Sequence, residues 1–129
     1  MEDNILDKIV KKYSLNLLLL FGSRVSGKYH KKSDFDVAYL SEAELNLEQE
    51  SGLIFDLSRI FKNDNIDLVN LKNAKPLLYY AIFNDCRLLY EKTPLSFHSL
   101  RAYAFKKYIE TKPLYEEKFK KLEAKIISM

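Results

Sequence analysis

Apolar residues along this chain recur in two rhythms, one helical and one strand-like, and the two alternate. Ile5, Ile9 and Val10 fall at helical spacing within residues 3–13, which predicts a first helix. Ser14 to Phe21, "SLNLLLLF", is a short unbroken apolar run that stops at Gly22. Such a run predicts a strand buried on both faces. Residues 22–33 are small, polar and basic, a turn with room for one helical turn. "DFDVAYL", Asp34 to Leu40, predicts a second strand, and Leu45, Leu53, Leu57, Ile60 and Phe61 form a helical stripe across residues 42–62. "NIDLVNL", Asn65 to Leu71, is a third strand. Lys75 to Asp85 reads as a helix with Pro76 in its first turn, and "CRLLYE", Cys86 to Glu91, as a fourth strand.

Beyond Pro94 the texture changes. The tail is lysine-rich, with Phe97, Leu100, Tyr103, Ala104 and Tyr108 at helical spacing, and Pro113 is expected to divide it into two helices. Strands alternating with helices predict an α/β or α+β layer fold. Residues 1–92 form the expected core, and residues 93–129 a helical extension packed on that core or on a partner.

Composition narrows the function classes. A chain of 129 residues, 47% hydrophobic and 30% charged, suits one domain with a real core. Its net charge of +3 is mild: it favours a polyanion such as ATP without the dense basic face of a nucleic-acid binder. The longest apolar run is far shorter than the roughly 20 residues that span a bilayer. The amino terminus does not read as a signal peptide, and a single cysteine, Cys86, allows no intrachain disulfide. A soluble cytoplasmic protein is expected.

Two phosphate-binding patterns compete in "FGSRVSGKYHKKSDFDVAYL", Phe21 to Leu40. Gly22 to Tyr29 approaches a P-loop. However, Tyr29 stands where Ser or Thr must ligate magnesium, and "YHKKSD" carries no apolar stripe to continue as a helix. The second pattern is a Gly-Ser pair, ten residues, then Asp-Phe-Asp. Asp34 and Asp36, two apart on a strand, leave the same face about 6.6 Å apart. Carboxylates that close repel unless a cation lies between them or one takes a proton. Magnesium prefers oxygen ligands shared with substrate phosphates, and two such ions clamp the entering and leaving oxygens of a phosphoryl displacement. Gly22 lets the backbone approach a phosphate, and the Ser23 hydroxyl with neighbouring amides holds its oxygens. Asp67, between the core-facing Ile66 and Leu68, is the best third carboxylate and a candidate base for an attacking hydroxyl.

The motif "GSRVSGKYHKKSDFDV", with the third acid Asp67 and the closing "CRLLYE", resembles the minimal nucleotidyltransferase (MNT) family of the DNA polymerase β-like superfamily, over about residues 3 to 91. The resemblance implies a nucleotidyltransferase fold, a small mixed β-sheet flanked by helices. Family members of this size are typically antitoxins that transfer AMP from Mg-ATP to a tyrosine hydroxyl of a cognate HEPN-domain ribonuclease toxin. By that analogy Gly22 and Ser23 hold the β and γ phosphates, with Arg24 beside them. Asp34 and Asp36 hold two magnesium ions, and Asp67 helps hold the one that activates the tyrosine. The chain departs from the family at Ser26, where a second arginine is common, and at Cys86, where glycine is usual.

Each site residue also has a plain structural reading. Asp34 and Asp36 suit a turn and a strand start, Asp67 a lysine pair, Ser23 a helix cap and Arg24 a solvated surface. Lys28 adds positive potential near a triphosphate, and His30 belongs to an exposed basic loop. His98 is structural or interfacial, and neither histidine has a partner spaced for zinc. Tyr103 and Tyr108 are candidates for an adenine site, and the aromatic, lysine-rich tail for partner docking. Two other functions compete: an MNT module that neutralises its toxin by binding alone, and a nucleotidyltransferase acting on a small molecule such as an aminoglycoside.

Overall fold

The computed structural model describes residues 2–27 and 34–127. Lys28 and His30 lie outside the described residues. Helix α1 (Glu2–Lys12) leads into strand β1 (Leu15–Phe21), a single-turn helix α2 (Ser23–Ser26), strand β2 (Phe35–Ser41) and helix α3 (Leu47–Phe61). Strand β3 (Ile66–Asn70), a 3-10 turn at Leu71–Asn73, helix α4 (Pro76–Asn84), strand β4 (Cys86–Glu91) and helix α5 (Ser96–Ile127) complete the chain. The four strands form one sheet in the order β3-β2-β1-β4. β1 runs antiparallel to both β2 and β4, while β2 and β3 are parallel, so the sheet is mixed.

β1 is almost entirely apolar because helices cover both of its faces. Leu15, Leu18 and Leu20 join Val37, Tyr39, Leu53 and Leu57 in a core under α1 and α3. Leu17 and Leu19 join Ala38, Ile82, Phe83 and Ala104 in a second core under α4 and α5. Alternation alone would put Leu15 and Leu17 on one face. The register of β1 against β2 shifts between Leu15 and Leu17, which moves Leu15 to the first core.

Local chemistry sets the helix limits. The sequence stripe starts a helix at 42, yet α3 starts only at Leu47. Asn46 accepts from the Gln49 backbone N–H at 2.7 Å, and the Gln49 side chain accepts from the Asn46 N–H at 2.9 Å. This reciprocal cap ends the helix at its N-terminus, and Leu45 is buried just outside it. Gly52 admits the Tyr13 hydroxyl, which donates to Asp56 at 2.8 Å and ties α1 to α3.

The tail corrects the sequence expectation. α5 is one helix through Pro113, rather than two divided there. Proline removes one N–H and crowds the carbonyl four residues back. Its fixed φ still suits a helix, and the run of Glu, Lys, Leu and Ala that follows it propagates one strongly. The Thr111 hydroxyl donates to the Lys107 carbonyl at 2.8 Å within the turn that precedes the proline. The first half of α5 packs on α4: Tyr108 stacks on Tyr80 with ring centroids 3.8 Å apart, and Tyr103 meets Tyr79 edge-on at 6.0 Å. None of the described helices is long and apolar enough to cross a membrane.

Candidate active site

The strand directions gather the acidic residues at one end of the sheet. β1 arrives there at Phe21, β2 departs at Phe35, and β3 departs at Ile66. Phe21 is paired with Asp36, and Asp36 with Asp67. Neighbouring strands lie about 4.8 Å apart, and paired residues project to the same face. Ala38 and Val69, two residues farther along each strand, belong to the core under α4 and α5. Asp36 and Asp67 therefore project to that same face at its rim. Asp34 stands two residues before Asp36, just ahead of β2.

The surroundings of Asp36 include the other two acids. The Asp36 carboxyl is pushed above the usual carboxylate range, first by burial, then by the charge of Asp67, then by that of Asp34. Asp36 is half-buried, whereas Asp34 and Asp67 are exposed. Asp34, Asp64, Asn65, Ile66 and Asp67 line a cleft of about 430 Å³ beside the group.

Gly22 sits against Asp36. Its φ is +80°, a region that favours glycine, and an added Cβ would meet the Asp36 carboxylate, 2.9 Å from Cγ and closer still to Oδ2. The tight bend after β1 thus brings the Gly22–Ser23 step onto the carboxylate. The bend continues as α2, where the Val25 N–H donates to the Gly22 carbonyl at 3.1 Å and Gly27 closes the turn at φ 81°.

Arg24 goes to the other side of the sheet. Its guanidinium lies 4.1 Å from the centre of the Phe35 ring. Phe35 in turn stacks on Phe61 at 4.5 Å with the rings 8° from parallel, against the core under α1 and α3. Sequence reasoning missed Phe35 and Phe61. The available signal was an aromatic residue flanked by two acids that leave the opposite face. Asp64 was also missed, although it lies only three residues before Asp67.

The other candidates make contacts of their own. Tyr103 and Tyr108 pack on α4, and His98 is exposed with its ring edge against Phe97. Cys86 begins β4 opposite Phe21, and burial pushes its thiol up.

The donor set suits a hard cation. Among the described residues no three His, Cys, Asp or Glu side chains converge as they stand on one metal position. Magnesium does not require that, because it commonly takes one or two carboxylates and completes its octahedron with phosphate oxygens and water. A half-buried carboxylate pressed by two others, with no ion-pair partner among the described residues, fits such sharing.

Known proteins carry the same arrangement of chain. A family profile described as "Polymerase beta, Nucleotidyltransferase" matches residues 4–95. The protein adenylyltransferase MntA of Aphanizomenon flos-aquae (strain 2012/KM1/D3) is 30% identical over 118 residues, covering 84% of this chain and 79% of that protein. Among solved structures, a chain from a toxin-antitoxin crystal structure with AMP-PNP matches with a TM-score of 0.77 at 22% identity, over 95% of this chain and 99% of that one. A chain from a complex of tri-AMPylated Shewanella oneidensis HEPN toxin with MNT antitoxin matches with a TM-score of 0.71 at 19% identity, over 95% and 96%. These structures share the fold. The profile match and the MntA identity go further: the chain belongs to the polymerase beta nucleotidyltransferase family.

Proposed function

We propose that this protein is an antitoxin that transfers AMP from Mg-ATP to a tyrosine hydroxyl of a cognate HEPN ribonuclease toxin and thereby silences it. The observation that carries the reading is the paired placement of Asp36 and Asp67 on adjacent parallel strands, with Gly22 folded against the Asp36 carboxylate. The names of its relatives agree: one is a protein adenylyltransferase, and another structure holds an AMPylated HEPN toxin.

The residues divide the work. Gly22 and Ser23 bend the backbone so that phosphate oxygens approach it closely. Arg24, held by Phe35, fixes that bend to the strand that carries the acids. Asp34, Asp36 and Asp67 would hold two magnesium ions, which neutralise charge on the phosphates and lower the cost of forming the attacking oxygen. The tyrosine oxygen attacks the α-phosphorus, the bond to the α–β bridging oxygen breaks, and pyrophosphate leaves. The phenol proton passes to a carboxylate at the site, for which exposed Asp67 is the best placed.

Neutralisation by binding alone would leave the half-buried Asp36 carboxylate, pressed by Asp67 and Asp34, without a purpose, and such a group is costly to keep. A small-molecule acceptor would need its own binding surface beside the acids, and the cleft there offers mainly the carboxylates of Asp34, Asp64 and Asp67.

The test uses ATP labelled either at the α or at the γ phosphate, magnesium, and the protein encoded beside this one if it carries a HEPN-type R-x4–6-H pattern. Label from the α position on the toxin, none from the γ position, and equimolar pyrophosphate are expected. Full neutralisation of the ribonuclease with no label transferred would replace this reading with simple occlusion.

A further inference from the structure

An apolar groove lies away from the acids, on the tail. Leu77 of α4, with Tyr108, Tyr115, Phe119 and Leu122 of α5, lines a groove of about 620 Å³. Phe105, Tyr108, Lys112, Tyr115, Phe119, Leu122 and Ile126 follow a three-four spacing along α5, the repeat of a helix-pairing seam with one lysine in it. Its upper end is already covered, because Phe105 and Tyr108 both pack on Tyr80 of α4. Past the start of α4 at Pro76 none of the described residues covers it: Phe119 is 61% exposed, Leu122 54% and Ile126 62%. The opposite face is dressed for solvent, with Lys121 paired to Glu117 at 3.4 Å.

Charge beside the seam says what fits it. One flank carries Glu116 and Glu123, the other Lys118 and Lys125. An antiparallel pair of helices sets like flanks together. A second copy laid antiparallel would therefore oppose Lys118 to Lys125 and Glu116 to Glu123. A second copy laid parallel would bring two α4 helices to the same level between the seams and force the tails apart. Both self-pairings are disfavoured, which leaves a helix of another protein.

We propose that residues 112–127 of α5 are a docking surface for an amphipathic helix of the toxin. That helix would carry basic residues facing Glu116 and Glu123 and acidic residues facing Lys118 and Lys125. The claim rests on the reading above for the identity of the partner. A helix in this groove (the recurring mode in which an apolar face is laid between two others) would continue the packing that α4 begins. It would also hold the toxin to the enzyme independently of the transfer chemistry, so affinity and catalysis separate.

The experiment measures the affinity of the cognate toxin, by titration calorimetry, for the intact chain and three variants. Phe119→Glu with Leu122→Glu is expected to weaken binding at least 30-fold. Lys118→Glu with Lys125→Glu is expected to weaken it 3- to 10-fold. Leu114→Glu, on an exposed position outside the seam, is expected to change it less than 2-fold. Binding of Mg-AMP-PNP and the cooperative thermal transition should be unchanged in all three. Wild-type binding with no loss in the Phe119/Leu122 variant would overturn this inference alone, and failure of the wild-type chain to bind the toxin would overturn the functional reading with it. A concentration-dependent dimer of the wild-type chain, abolished by the same variant, would give the groove to a second copy and also overturn the proposal.

Discussion

The acid end of the sheet and the far half of α5 are built on opposite principles. At the sheet end, rigid apolar strands hold charge where it repels itself: Asp36 is half-buried and pressed by Asp67 and Asp34. On α5, a polar helix holds aromatic and aliphatic groups out in water. Each region is unfavourable alone, and on the readings proposed above each would be relieved by a different ligand: the carboxylates by cations and a triphosphate, the seam by a protein helix. Local stability is spent at both places where the protein meets something else.

The sharpest break of the comparison is at the bend. Gly22→Ala forces a Cβ onto the Asp36 carboxylate and strains a positive φ, whereas no residue of distal α5 is so confined. AMP transfer by this variant, followed with labelled ATP, should fall at least about 100-fold, the scale reached when a reacting geometry is misplaced by about an ångström. A loss under fivefold would show that the bend does not meet the nucleotide.

Truncating leucines sharpens the same contrast in stability. Leu19 is fully buried in the sheet, and Leu122 is mostly exposed. Urea unfolding should show Leu19→Ala costing about 2–5 kcal/mol. Leu122→Ala should stay within about 0.5 kcal/mol of wild type in the isolated chain. A comparable loss at both positions would mean that α5 is packed where it is described as bare.

Arg24 and Phe35 form a smaller lever on the bend. Arg24→Ala and Phe35→Leu should each raise KM for Mg-ATP several-fold, with kcat within about twofold, and the double variant should be no worse than either single. Fully additive losses would separate the two residues and assign Arg24 a direct phosphate contact.

The smallest effect is at Asp36 without metal. Its carboxyl is raised in the folded chain, so the fold favours the protonated form. The stability associated with it is complete below the unfolded-state value and is lost as pH rises through the folded-state value. In EDTA at neutral pH, Asp36→Asn should therefore raise Tm, and the gain should vanish at acid pH. A Tm lowered by the substitution would contradict the repulsion described.

Most of the strand and helix order was legible because covering both faces of a strand demands an unbroken apolar run, as in β1. The Gly-Ser and Asp-Phe-Asp motif was legible because it resembles a family signature, and the fold does bring Gly22 against Asp36. The continuous α5 was not. A proline's cost is local, while the long run of helix formers around Pro113 contributes over many residues. Nor was the Phe35–Phe61 support, since the stack joins residues that only the parallel β2–β3 crossover brings together. The bare seam was half legible. The apolar spacing is in the sequence, but only the structure shows that α4 stops covering it at Leu77.

The most direct measurement is AMP transfer to the toxin by the Asp34→Ala, Asp36→Ala double variant in a single turnover, with its fold checked by circular dichroism. An unchanged spectrum with no labelled toxin over many wild-type half-times is the predicted result. Label accumulating at the wild-type rate would contradict the assignment of these carboxylates as the centre of the chemistry.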